Sequence, residues 1–112
     1  MGYLVAFARK MYLVSYINNL EVRLKDITEE KLGLTDTIAE FSSQISDIGD
    51  PDHPAVKKLK ARQVELENLD KKLDIKMQKL QTQLQAANTE LQSADQALQS
   101  SIQKSFSYSY GS

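Results

Sequence analysis

The sequence predicts an all-α fold, a long antiparallel hairpin of two helices that form a coiled coil, followed by a short extended C-terminal tail. Three observations support this prediction. The first half repeats apolar residues every seven positions, the second half repeats them in steps of three and four, and the chain's two prolines lie together near its centre. The 112 residues are therefore interpreted as a single helical hairpin.

The first helix is predicted over residues 3–48. Two interleaved sets of positions repeat every seven residues: Leu13, Leu20, Ile27, Leu34, Phe41 and Ile48, and Ile17, Leu24, Lys31, Ile38 and Ile45. All of these positions except Lys31 are apolar, which favours a helix over a strand. Gly33, together with a capping box at Thr37 and Glu40, would allow a break. Because the repeat keeps its phase across Gly33, a continuous helix is expected.

Lys31 is the charged exception in this repeat. Its side chain could pair with Asp70 or Asp74 across the hairpin and so set the register of the two helices. Alternatively, its ammonium group reaches out of the apolar seam into solvent while the methylene groups stay buried. The second alternative is the one we expect.

The turn is predicted over residues 49–54. Gly49 suits the left-handed position that ends a helix, and Pro51 and Pro54 interrupt the helical pattern. Asp52 or His53 can precede Pro54 as the start of the second helix, because proline is tolerated in the first turn. Helix capping explains the aspartates of this turn better than a cation site does.

The second helix is predicted over residues 55–105. Its apolar positions are Leu66, Leu69, Leu73, Met77, Leu80, Leu84, Ala87, Leu91, Ala94, Leu98, Ile102 and Phe106. Several consecutive steps of four occur, as at Leu69, Leu73 and Met77, and they shift the repeat toward eleven residues, so a weak supercoil is expected. In the tail, residues 106–112, serines alternate with aromatic residues, which indicates an extended segment.

An antiparallel register follows from the central turn. It places Leu13 opposite Leu91, Leu24 opposite Met77 to Leu80, and Ile45 opposite Val56 and Leu59. Met1 then lies near residues 100–102. Seven of the eight aromatic residues occupy the chain ends, at Tyr3, Phe7, Tyr12, Tyr16, Phe106, Tyr108 and Tyr110. The register brings the two groups together at one end of the hairpin.

This aromatic end is predicted to be a self-association surface. The side chains expected to make contacts between copies are Tyr3, Leu4, Phe7, Met11, Tyr12, Tyr16, Phe106, Tyr108 and Tyr110. Exposed apolar surface on this scale usually marks an interaction site. The facing stretch from Gln81 to Gln103 has only two charged residues, which suits close packing between copies. An ordinary local core is the main alternative.

Composition excludes several classes of function. The formal net charge is −1, so no basic surface for nucleic acid is expected. Cysteine is absent and His53 is the single histidine, so we expect neither a metal site nor a cofactor. No catalytic motif is found, and we expect a protein that is not an enzyme.

The localisation predicted from the sequence is cytoplasmic, or cell-surface after export without a cleaved signal peptide. Arg9 and Lys10 interrupt the apolar N-terminal stretch, which argues against a signal peptide and against a membrane-spanning helix.

Two short segments resemble the subunits of type III secretion needles. They are Pro51-Asp52-His53-Pro54-Ala55 at the turn and Ile102-Gln103-Lys104-Ser105-Phe106 near the C-terminus. The family consists of small helical hairpins that are exported without a classical signal and stack into a helical filament. The resemblance therefore implies a filament subunit that partners with itself.

The function expected from the sequence is a structural subunit that self-assembles into an oligomer or filament through its aromatic terminal half. One alternative is a coiled-coil adaptor or chaperone that binds a partner protein's helix through the same end. A second alternative is a peripheral membrane hairpin that uses residues 3–17.

Overall fold

The computed structural model describes residues 2–111, and these form two α-helices, α1 over Gly2–Ile48 and α2 over Pro54–Gly111. The predicted all-α helical hairpin is confirmed. The chain divides into two compact units, each built from a part of both helices. We call Met1–Arg23 with Leu80–Ser112 the terminal unit, and Leu24–Lys79 the turn unit.

Helix α1 continues through Gly33, as its unbroken heptad predicts. The hydroxyl of Thr37 donates to the carbonyl oxygen of Gly33 at 3.0 Å, so it binds the preceding turn of α1. The hydroxyl of Thr35 donates to the carbonyl of Lys31 in the same way. Thr37 is therefore an interior helical residue, and no new helix starts there.

The turn begins at Gly49, as expected. Its φ of 75° lies in the left-handed region, and its N–H donates to the carbonyl oxygen of Ile45 at 3.2 Å. This single bond, from the first residue past the helix to the last turn, is the left-handed helix cap that glycine favours. The side chain of Asp50 then accepts from the N–H of Asp52 at 3.0 Å, which closes the loop.

His53 caps the start of α2. Its Nδ1 accepts a hydrogen bond from the N–H of Ala55 at 3.0 Å. Its carbonyl oxygen accepts from the N–H groups of Val56 and Lys57 at 3.0 and 3.2 Å. Pro54 lacks an N–H to satisfy and occupies the first helical position. Of the two residues predicted to start α2, His53 is therefore the cap.

The side chains along the inner edge of α2 follow a strict alternation of three and four residues. The buried and half-buried positions of this seam are Val56, Leu59, Gln63, Leu66, Asp70, Leu73, Met77, Leu80, Leu84, Ala87, Leu91, Ala94, Leu98 and Ser101. The predicted drift toward an eleven-residue repeat is therefore wrong. Leu69 is exposed, and its neighbour Asp70 takes the seam position. Counting apolar residues alone missed the polar members of the seam.

Interhelical contacts in each unit confirm the predicted register. Lys10 contacts Asp95 in the terminal unit, and Lys31 contacts Asp74 in the turn unit. In both pairs the two residue numbers sum to 105. A Cβ placed on Gly2 would lie 3.6 Å from the hydroxyl of Ser101, which agrees with the expected position of the N-terminus. Met1 itself lies outside the described residues.

The core of the terminal unit is centred on Ile17, Leu20 and Ala87, which are all buried. Four partly buried side chains pack around this centre: Tyr16, Leu80, Leu84 and Leu91. In the turn unit the buried residues of α2 are Val56, Leu66 and Leu73. In the turn unit the facing heptad positions of α1, such as Ile27 and Leu34, are half-buried.

The C-terminal tail is helical, so the extended segment predicted over residues 106–112 is wrong as far as Gly111. Ser112 lies outside the described residues. Lengthening an existing helix adds a hydrogen bond for each residue fixed and avoids the cost of nucleation. Serine, phenylalanine and tyrosine have intermediate helix propensities, and no proline or glycine lies between Pro54 and Gly111.

Candidate self-association surface

The terminal unit exposes eight large apolar side chains. They are Tyr3, Leu4, Val5, Phe7, Met11 and Tyr12 from α1, and Ile102 and Phe106 from α2. We call these eight residues the terminal patch. Phe7 and Met11 are 51% and 50% exposed, so about half of the surface of each residue is accessible to solvent. The remaining exposed large apolar residues that are described, such as Leu32 and Val64, are scattered along the helices.

An open groove joins the two helices within the terminal patch. Tyr3 lines it from α1, and Ile102, Ser105 and Phe106 line it from α2, around a volume of about 340 Å³. The groove shows that the aromatic residues of the two chain ends meet, as the register predicted. Its lining is mostly apolar side chain, which suits an apolar occupant better than a polar ligand.

Tyr12 and Tyr16 lie one helical turn apart and stack. Their ring centroids are 6.3 Å apart and their planes differ by 6°. Tyr16 is half-buried against the core of Ile17, Leu20 and Ala87, whereas Tyr12 is 69% exposed. Tyr16 therefore belongs in part to the local core, and Tyr12 extends that aromatic surface outward.

Charge is sparse around the terminal patch. Lys10 Nζ lies 2.8 Å from Asp95 Oδ1 across the helices, so these two charges neutralise each other. Between Gln81 and Gln103 the other charged residue of α2 is Glu90. Because desolvating an unpaired charge is costly, a surface with few charges is easier to cover with protein.

The turn unit contains a polar junction that the sequence interpretation judged incorrectly. Lys31 does not extend into solvent; it lies half-buried in the seam, hydrogen-bonded to Asp74, with its Nζ 3.2 Å from Asp70 Oδ1. The hydrogen bond to Asp74 raises the pKa of Lys31, partial desolvation opposes that shift, and Asp70 adds to it. Of the two alternatives, the ion pair across the hairpin is therefore the one that the structure shows.

Gln63 makes a second polar contact between the helices of the turn unit. Its Nε2 donates to the carbonyl oxygen of Ile38 at 3.1 Å and to the hydroxyl of Ser42 at 2.7 Å. A single seam side chain thus binds two successive turns of α1. Sequence reasoning missed Gln63, because an isolated glutamine carries no signal unless its partners across the hairpin are known.

The structure exposes most of the predicted surface residues and adds two. Tyr3, Leu4, Phe7, Met11, Tyr12 and Phe106 are exposed, while Tyr16 is half-buried. The side chains of Tyr108 and Tyr110 lie outside the described part of the structure. Val5 and Ile102 also belong to the terminal patch, although the predicted set did not include them.

The described residues carry no group of three or more histidine, cysteine, aspartate or glutamate side chains arranged to hold a metal ion. Within the same part of the chain, neither helix has an apolar stretch long enough to cross a membrane.

Comparison with protein-family models, with curated proteins and with solved structures gives no match to this chain.

Proposed function

We propose that the protein is a structural subunit that self-assembles into an oligomer or a helical filament through the apolar half of its hairpin. The observation that supports this proposal best is the terminal patch, the eight large apolar side chains that the terminal unit exposes. Soluble proteins that stay monomeric rarely expose a contiguous apolar surface larger than a few hundred Å². A second copy packed on Leu4, Phe7 and Met11, which share one face of α1, would remove part of this surface from water.

The residues proposed to make the contacts are those predicted from the sequence, together with Val5 and Ile102. Aromatic residues and methionine are the types enriched at the centres of protein interfaces. The pairing of Lys10 with Asp95 supports the proposal further, because it leaves two fewer charges to desolvate. The turn unit, with its charged surface, would remain in contact with solvent.

A pair of substitutions tests this proposal. Changing Leu4 and Phe7 to glutamine removes two exposed apolar side chains without touching the core of Ile17 and Leu20. We expect the variant to keep its helical circular dichroism and to sediment as a smaller species than the original protein. The matched control changes Leu32 and Val64, which are as exposed but lie in the turn unit. If both variants sediment like the original protein, the terminal patch is not the contact surface.

The C-terminal residues provide a second test of the same proposal. Removing residues 106–112 deletes Phe106 from the terminal patch and shortens α2 by less than two turns. We expect smaller or fewer assemblies, with helicity almost unchanged. Assembly as extensive as that of the full chain would count against a contribution from this end of α2.

A helix of another protein could occupy the same surface, which is the adaptor alternative. The distinguishing result is a chain that is monomeric alone at high concentration and associates only when a partner is added. The membrane alternative is less well supported, because Lys10 is already bound to Asp95 and adds little attraction to an anionic lipid surface. Failure to co-sediment with anionic vesicles would dismiss it.

A further inference from the structure

A second heptad stripe runs along α1 beside the seam of the terminal unit. Leu4, Phe7, Met11 and Val14 follow one another in steps of three, four and three residues, so they share one face of the helix. The first three are exposed and Val14 is half-buried. The stripe ends at Val14, because the next two positions in the same spacing are the polar residues Asn18 and Glu21.

A helix that has two apolar stripes needs two apolar neighbours. Helix α2 covers the seam of α1, where Ala87 of α2 packs with Ile17 and Leu20 of α1. The second stripe has the spacing of a coiled-coil seam, which is typical of helices in a bundle of more than two. Its extent, residues 4–14, limits the additional neighbour to the terminal unit.

The stripe is complementary to itself when two copies run antiparallel. About an axis level with residue 9, Leu4 of one copy faces Val14 of the other, and Phe7 faces Met11. Every pair is then apolar, and no charged residue falls in the stripe. A surface that pairs with its own copy in this way gives a twofold contact, which closes after two subunits.

The exposed apolar side chains supply more than half of the area that such a pair needs. Large apolar side chains bury about 150–250 Å² each, so a half-exposed one still offers about 100 Å². Leu4, Phe7, Met11, Ile102 and Phe106 together then offer about 500 Å² per copy, to which a polar rim adds. Stable interfaces bury about 800 Å² per partner.

We propose that a second copy of the chain packs antiparallel on the Leu4–Val14 stripe, about a twofold axis level with residue 9, to form a four-helix bundle of two terminal units. This inference rests on the proposed self-assembly and specifies its basic contact. The contact of Phe7 with Met11 of the other copy is the geometric feature that distinguishes this arrangement from a parallel one.

A charge-complementation experiment tests that contact. Phe7→Glu alone and Met11→Lys alone each place two charges in the homodimer, so each is expected to weaken association by about 100-fold. Mixing the two variants makes a heterodimer in which one contact pairs Glu with Lys and the other is the original Phe–Met contact. We expect the mixture to sediment as a dimer, whereas Val64→Glu, a matched control in the turn unit, dimerises alone.

A spin-label distance checks the orientation without altering the stripe. The chain has no cysteine, so Val22→Cys provides one labelling site per copy. Residue 22 lies 13 residues from the proposed axis, so two labels should be about 40 Å apart along the bundle at 1.5 Å per residue. A parallel pair would instead hold them within about 20 Å.

The outcomes separate this inference from the proposed function. A mixture that stays monomeric, or labels within about 20 Å, would overturn the antiparallel contact while the original chain still assembles. A Phe7→Glu variant that dimerises as tightly as the original protein would also overturn it. An original chain that stays monomeric overturns both proposals.

Discussion

The ammonium nitrogen of Lys31 lies 3.2 Å from Asp70 Oδ1, across the two helices of the turn unit. This oxygen is buried and has no hydrogen-bond partner in the described structure, so the nearby cation is its compensating charge. Asp74 accepts the hydrogen bond of the same ammonium group. A slip of the helices by one heptad would place Lys31 level with Met77 and Gln81, or with Gln63 and Glu67. Either slip loses at least one carboxylate, so the junction selects the observed register.

Replacing Lys31 with methionine should destabilise the hairpin. The change leaves the buried oxygen of Asp70 without a cation, and such an uncompensated charge is destabilising. A double variant that also changes Asp70 to leucine should recover the lost stability, since an apolar pair then fills the seam. Urea unfolding followed by circular dichroism measures both. A single variant as stable as the original would show that the junction contributes nothing.

The contribution of Lys31 should depend on pH. Its pKa is raised above the ordinary value of 10.5, chiefly by the hydrogen bond to Asp74. A raised pKa means that the folded state binds this proton more tightly than the unfolded state does. The stabilisation is therefore complete below pH 10.5 and is lost as the pH rises through the raised pKa.

The difference in melting temperature between the original protein and Lys31→Met is the quantity to measure in testing this dependence. We expect it to be constant around neutral pH and to shrink above pH 10.5. Comparing two proteins that differ only at residue 31 cancels the contributions that they share. A difference that grows with alkaline pH would contradict the prediction.

Removing the cap at His53 should weaken the start of α2. His53→Ala deletes the acceptor for the N–H of Ala55, and losing a helix cap typically costs about 1 kcal/mol in the free energy of unfolding. His53→Asp replaces the Nδ1 acceptor with a carboxylate oxygen, which is also a good helix-capping acceptor, and should lose much less. Chemical denaturation of the two variants side by side checks the order. Equal stability of the two would exclude a capping role.

Glycine substitutions provide a matched pair in the same molecule. Gly49→Ala forces a side chain into the left-handed region and should cost about 1–2 kcal/mol. Gly33→Ala adds a methyl group where no heavy atom lies within 4 Å, inside a continuous helix, and should stabilise the protein by about 0.5–1 kcal/mol. Opposite shifts in melting temperature are expected. Two shifts of the same sign would contradict the assignment of Gly49 as the helix cap.

The helices and the turn could be predicted because their signals are local. The heptad of α1 can be recognised without knowing where α2 lies. Gly49 and Pro54 mark the loop through their own backbone preferences. The register followed once the turn was located. These steps use residues that act through their own conformational preferences or through repetition along one helix.

The seam of α2 was predicted less well because its polar members depend on partners across the hairpin. Asp70 is in the seam because Lys31 neutralises it, and Gln63 is there because Ile38 and Ser42 accept its hydrogens. A count of apolar residues assigns the seam position to Leu69. It cannot detect the contacts that Asp70 and Gln63 make across the hairpin. The prediction for the tail was wrong for a related reason. Alternating serines and aromatic residues indicate a strand only when no helix precedes them, and here α2 does.

The predicted surface includes residues whose exposure could be predicted from the sequence and one whose burial could not. Phe7 and Met11 were identified from composition and are exposed. Tyr16 was assigned to the same surface but also packs on the core around Leu20, which depends on how α2 covers α1. Burial of one particular side chain is set by its neighbours across the hairpin, so sequence reasoning located the surface without defining its edge.

The mass of the unmodified chain in solution, measured by sedimentation equilibrium over a wide concentration range, tests the central proposal most directly. Self-assembly through the terminal half predicts a mass that rises above the monomer value of 12.6 kDa as the concentration increases, with the twofold contact giving a dimer first. A mass that stays at 12.6 kDa up to millimolar concentration would contradict self-assembly.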